Sequence, residues 1–301
     1  MGTMPRVAAL PLALALAACT GRPADSQRQV AAATIAPLAD VLARVAGPAW
    51  DVRTLVPPGT SPHVFEPTPR EVRLVAPARL VVTVGAGYDG WAARLASACA
   101  SKAALFDAGQ AAGIGAADEP EAGAAHEHAG LGHDPHWWLS PPLVAKMLPA
   151  LAAELSSLDP SGAEGYRERA ALFSEELGRL DAEILEMLRP VSGSSVFTAH
   201  NAWVYFADRY GLKAAASIEP VPGREPSPRE LRALILSARR EKVRSLFTEP
   251  QFPPDVARVV ASEAGLSVAT VDPIGGVAGR QSYGEILTFN ARAFRAGLGT
   301  P

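Results

Sequence analysis

Residues 162–189 read GAEGYRERAALFSEELGRLDAEILEMLR, in which apolar residues fall at Tyr166, Ala170, Phe173, Leu177, Leu180, Ile184 and Leu188. Spacings of three and four place these side chains on one continuous stripe of a helix. Asp159-Pro160 before the stretch and Pro190 after it are natural boundaries. At 1.5 Å per residue the helix runs about 42 Å, long enough to span two lobes. What flanks it decides the class. On the N-terminal side, strand-like segments at Val30–Ile35, Asp51–Val56, Leu80–Val84 and Ala103–Asp107 alternate with helical patterns at Leu38–Val45, Pro69–Val75 and Trp91–Ala98. A further helix is expected near Pro142–Leu155. On the C-terminal side, strands at Ser195–Thr198, Lys213–Ser217, Arg244–Thr248 and Ser267–Val271 alternate with helices at Trp203–Tyr210, Pro228–Arg239, Pro254–Ala264 and Tyr283–Ala296. Such alternation is the signature of parallel sheets wrapped by helices. The expected fold is α/β: two lobes, each a mainly parallel sheet with helices around it, joined by one long backbone helix.

The expected boundaries follow. Residues 1–18 form an export signal, with Arg6 as its positive element and an apolar run from Val7 to Ala18 too short to cross a bilayer. It ends in Leu16-Ala17-Ala18-Cys19, which resembles a bacterial lipoprotein cleavage box with Cys19 as the lipid-modified first residue. Residues 19–28 are a tether, 29–160 the N-terminal lobe, 161–190 the long helix and 191–301 the C-terminal lobe. Setting Cys19 aside leaves only Cys99, so no internal disulfide can form. A formal net charge of −3 with mixed signs offers no basic face, which argues against nucleic acid as a partner. Residues 109–134 are rich in Gly, Ala and acids, lack a hydrophobic period, and read as a flexible loop. That loop carries His126, His128 and His133 among Asp118, Glu119, Glu121 and Glu127, a composition suited to loose capture of a cation.

Four polar residues share one address, where the chain turns after an extended or loop segment: His63, His136, His200 and Asp272. In parallel α/β sheets ligands bind outside the carboxyl ends of the strands. Three imidazoles and one carboxylate meeting there make a closed tetrahedral cation site suited to zinc. Catalytic zinc sites keep a position open, and neither H-E-x-x-H nor G-x-S-x-G is present, so a zinc hydrolase with Glu66 or Asp272 as base is disfavoured and no enzyme is expected. Gly85-Ala86-Gly87-Tyr88-Asp89-Gly90 satisfies G-x-G-x-x-G. Asp89 is expected to cap the following helix, putting a carboxylate where a dinucleotide would need free amides, so a tight glycine turn is preferred.

The segments Val56–Pro69 (with Pro62-His63-Val64-Phe65-Glu66-Pro67), Asp134–Pro141 (with Asp134-Pro135-His136-Trp137-Trp138-Leu139), Glu225–Pro228 and Val271–Gly275 resemble signatures of the zinc/manganese substrate-binding proteins of bacterial ABC transporters. The resemblance covers nearly the whole chain after the export signal, in order. It implies metal bound between two α/β lobes and delivered to a membrane permease driven by an ATPase. It implies His63, His136, His200 and Asp272 as ligands, with Glu66 or water as alternatives for the fourth place and Glu66 otherwise supporting the site from outside. Manganese-binding relatives tend to carry a carboxylate at the third position, where this chain has His200. Imidazole suits zinc and oxygen-rich sets suit manganese, so Zn²⁺ is the expected ligand and Mn²⁺ or iron the alternative. A lipid-anchored monomer on the periplasmic or cell-surface side of the membrane is the expected form. Metal release is expected below about pH 6, near the reference imidazole pKa.

Overall fold

The computed structural model describes residues 28–99, 102–115, 134–219, 223–224, 226–241 and 243–299. Two four-stranded sheets, entirely parallel, organise the chain. The first comprises β1 (Gln29–Ala33), β2 (Trp50–Thr54), β3 (Leu80–Thr83) and β4 (Ala104–Asp107), in the order β2-β1-β3-β4. The second comprises β5 (Ser195–His200), β6 (Lys213–Glu219), β7 (Ser245–Thr248) and β8 (Ser267–Thr270), in the equivalent order β6-β5-β7-β8. Each sheet therefore reverses its winding between its first and third strands, which is where a crevice opens at the carboxyl edge.

The short apolar runs form strands because both faces of each sheet are covered. Alternate residues leave in opposite directions. Ala31, Ala33, Leu80 and Val82 enter one core, while Ala32 and Val81 enter another beneath α2 (Pro69–Val75) and α3 (Trp91–Ala98). In the second sheet Val196 points inward, and Phe197 and Leu246 face outward toward α8 (Pro228–Arg240) and α9 (Pro254–Ala264).

The inner core is continuous across both lobes. It joins α1 (Ala36–Ala46), α5 (Pro141–Leu158), α6 (Ala163–Leu188) and α10 (Tyr283–Leu298) with Trp137, Trp138 and Trp203. The helix α6 is the stretch at 162–189, and Tyr166, Ala170, Phe173, Leu177, Ile184 and Leu188 of its stripe are buried. It is pinned at both ends. Arg169 donates to the Val45 and Ala46 carbonyls (2.8 and 3.0 Å), and Trp50 Nε1 donates to the Tyr166 hydroxyl (2.9 Å). At the other end buried Asp181 pairs with Arg209 and accepts from the Tyr210 hydroxyl (3.1 Å), both on α7 (Val204–Tyr210). The lobes also bond directly: Trp138 Nε1 donates to the Pro273 carbonyl (2.9 Å), Tyr283 Oη to the Trp138 carbonyl (2.7 Å), and Tyr283 N to Asp40 Oδ2 (2.9 Å).

Two expectations need correction. The start of the 109–134 loop is helical: α4 spans Ala108–Ala112, capped by the Asp107 carboxylate on the Gln110 amide (2.8 Å) and closed by Gly113 at φ 85°. Residues 116–133, with His126, His128 and His133, lie outside the described residues, as does Cys19. Asp89 does not cap α3, whose N-cap is Gly90. Its carboxylate turns back to accept from Val84 N (2.6 Å), Gly85 N (3.1 Å) and Thr34 Oγ1 (2.5 Å). The amides of the glycine turn at the first sheet's crevice are thus filled by the chain's own anion, a stronger reason against a dinucleotide than the one expected. No helix among the described residues is long and apolar enough to cross a membrane.

Candidate metal centre

His63 sits on a 3-10 turn, Pro62–Val64, after the prolines and Gly59 (φ 76°) that follow β2. His136 leads into a second 3-10 turn, Trp137–Leu139. Its two following indoles are buried and bonded to different lobes, Trp137 Nε1 to the Val84 carbonyl (3.0 Å) and Trp138 Nε1 to Pro273, so His136 is held at the seam. His200 is the last residue of β5, at the crevice of the second sheet.

These three side chains meet. Nε2 of His136 lies 3.0 Å from Nε2 of His63 and 3.3 Å from Nε2 of His200, and the three donors stand within 4.8 Å of one another. Two nitrogens bound tetrahedrally at 2.0–2.1 Å from one zinc ion are about 3.3 Å apart, so the spacing matches a shared ion. Neutral imidazoles at such distances present lone pairs to a common point, and the surroundings of His63 and His136 favour that neutral form. Burial, and then the neighbouring His136 and His200, hold the His63 pKa down to about 2. Burial also lowers that of His136, against the opposing pull of Asp134.

Two carboxylates behind the imidazoles were not foreseen. Asp134 Oδ1 lies 2.8 Å from His136 Nδ1 and accepts from the His136 amide at 2.8 Å. Glu249, 3 % exposed, places Oε2 2.8 Å from His200 Nδ1, a close charge contact not aligned as a hydrogen bond, while Oε1 accepts from Trp203 Nε1 (3.0 Å). A carboxylate on Nδ1 fixes the tautomer that leaves Nε2 free for a metal. Both residues carried a signal. Asp134 is two positions before His136, and Glu249 follows β7, across the second sheet's crevice from His200. Aromatic rings close the surroundings: Tyr88 packs edge-on to His63 with centroids 4.5 Å apart, and Phe252 lies 4.8 Å from the His200 ring.

Asp272 is buried but is not one of the three grouped donors. Its Oδ1 accepts from Gln251 Nε2 (2.9 Å), Ile274 N (3.2 Å) and Gly275 N (3.0 Å), and its Oδ2 lies 3.4 Å from Arg280 Nη1. Glu66 is exposed and also outside the group. Cys99 is free.

Two parallel-sheet lobes, a long connecting helix and a three-imidazole cluster at the seam, with His136 and His200 buried, define a two-lobed type of solute-binding protein. The chain belongs to the family described as zinc-uptake complex component A, periplasmic, whose model matches residues 32–297. It is 28 % identical over 268 residues to the zinc-binding lipoprotein AdcA of Streptococcus pneumoniae, covering 87 % of this chain and 53 % of that protein. It thus spans about half the length of those curated relatives. It is 26 % identical over 295 residues to the high-affinity zinc uptake system protein ZnuA of Yersinia pestis, covering 91 % of this chain and 93 % of the relative. A crystal structure of a zinc-bound deletion mutant of ZnuA superposes with a TM-score of 0.78 at 29 % identity, over 91 % of this chain and 100 % of that one.

Proposed function

We propose that this protein captures Zn²⁺ outside the cytoplasmic membrane and presents it to the permease of an ABC importer. The observation that carries the reading is the convergence of His63, His136 and His200 through Nε2 at spacings suited to one tetrahedral ion. Asp272 supplies the fourth ligand by turning its carboxylate toward the imidazoles. Three neutral nitrogens and one oxygen favour zinc over manganese, which prefers oxygen-rich sets. The names of the relatives agree, since AdcA and ZnuA are both described by zinc. Four protein ligands leave no position for a substrate water, which fits a carrier rather than a hydrolase.

Anchoring through a lipid on Cys19 is part of the same proposal. It rests on the Leu16-Ala17-Ala18-Cys19 ending and on the lipoprotein designation of the streptococcal relative. His126, His128 and His133 serve as an accessory collector feeding the buried cluster.

The test is metal stoichiometry with Zn²⁺, Mn²⁺ and Fe²⁺ in competition, on the wild-type protein and on His200→Ala. One zinc per chain, resistant to excess manganese and lost or greatly weakened in the variant, is the expected result. Equal retention of manganese in the wild type would remove the zinc assignment.

A further inference from the structure

Asp272 is arranged so that one oxygen is spoken for and the other is contested. Its main chain is clamped from both sides by fully buried Asn290, which accepts from the Asp272 amide at 2.7 Å and donates to its carbonyl at 2.7 Å. Oδ1 takes three donors, Gln251 Nε2 and the amides of Ile274 and Gly275. Oδ2 faces Arg280. That arginine reaches back from a tight turn closed by Gly276 N on the Arg280 carbonyl (2.8 Å) and Arg280 N on the Val277 carbonyl (2.9 Å). Its side chain is only 20 % exposed, and its guanidinium rests over the Phe289 ring, 4.5 Å from the centroid.

We propose that Arg280 is an affinity-setting residue, a built-in cation that competes with zinc for Oδ2 of Asp272. The proposal rests on the reading of Asp272 as fourth ligand and deepens it. Because the backbone is clamped, a metal recruits this carboxylate by rotation of the side chain and not by movement of the loop. Oδ1 has three donors and Oδ2 only the arginine, so Oδ2 is the less firmly held oxygen and the one offered to the metal. At 3.4 Å the ion pair is longer than the 2.7–2.9 Å of a strong charge-assisted hydrogen bond, so the hold is one that a divalent ion can break. This competition weakens retention and speeds release, as suits a carrier that must surrender its cargo.

The experiment is a double-mutant cycle on the full chain, with zinc affinity read by competition against a chelator. Arg280→Met keeps an unbranched apolar stem over Phe289 and removes the charge; Arg280→Gln is the second variant should the first fold poorly. The expected result is about tenfold tighter zinc binding in either variant, equivalent to about 1.4 kcal/mol. Asp272→Asn should weaken binding, and adding Arg280→Met to it should change nothing further. Unchanged or weaker binding in both arginine variants would overturn the proposal, since Arg280 would then orient Asp272 rather than compete for it. A tightening that persists in the Asp272→Asn background would overturn it too, because the arginine would act without the carboxylate. Full zinc affinity in Asp272→Asn alone would instead remove Asp272 from the ligand set.

Discussion

Replacing Glu249 by Gln tests whether the carboxylate behind His200 belongs to the metal centre or only to the core. Glu249 has one oxygen 2.8 Å from His200 Nδ1 and the other on Trp203 Nε1. Glutamine keeps an acceptor for the indole and nearly the same volume, so the fold should persist. What it loses is the negative charge that supports the imidazole. Loss of such a partner weakens metal binding by about 10- to 100-fold, or about 1.4–2.7 kcal/mol. Because Glu249 is almost completely shielded from water, the upper half of that range is expected. Glu249→Leu goes further by stranding the Trp203 N–H in the core, which adds a stability loss of about 1–3 kcal/mol. For a chain of this size each kcal/mol lowers Tm by about 2–4 °C. The assay is zinc competition against a chelator at pH 7.5, paired with thermal unfolding of metal-stripped protein. Wild-type zinc affinity in Glu249→Gln, with unchanged Tm, would refute the reasoning.

Further outcomes follow from the same geometry. The folded metal-stripped protein binds fewer protons than the unfolded chain below the reference imidazole pKa of about 6.5, because the His63 and His136 values are lowered. Its stability should therefore fall as pH drops from about 6.5 toward the folded-state values, by at most about 1.4 kcal/mol per pH unit for each such imidazole. Chemical denaturation of the stripped protein at pH 7.5, 6 and 5 would reveal a flat profile if that account were wrong. For the same reason zinc should be retained to a lower pH than the reference imidazole value suggests, so release comes further below pH 6 than the sequence implied. Tyr283→Phe, which removes a buried bond between the lobes, should cost about 1 kcal/mol in unfolding free energy. Solution scattering of both that variant and the wild type should show little change in radius on zinc addition, and a large compaction would contradict a lobe interface that is already packed.

Much of the architecture was legible because it rests on periodicity. Pro69–Val75, Trp91–Ala98 and Pro254–Ala264 form helices with the bounds their patterns and flanking residues implied. The buried strands were recognisable as short apolar runs. Helix α4 was not, because five residues are too few to display a period; its signals were the Asp107 cap and Gly113 alone. Gly109 within it also misleads as a loop marker. A side chain there would meet the Val84 carbonyl at 2.6 Å, so the glycine is there for close packing. The three histidines that the structure brings together were singled out by their strand-end or turn positions, whereas Asp134 and Glu249 require knowing which nitrogen each imidazole turns outward. Asp89 was misassigned because a carboxylate one residue before a helix N-cap can serve either the helix or the turn behind it. Here the turn, with two amides and the Thr34 hydroxyl, offered more donors.

The core that runs unbroken from one lobe through α6 into the other has a consequence for recognition. On the proposed reading, a permease could not gauge cargo by how wide a cleft stands open, since an inner core shared by both halves holds them together. Whatever distinguished the metal-loaded protein from the empty one would then be written in the few rim segments around residues 63, 136 and 272, at the scale of side chains and single turns.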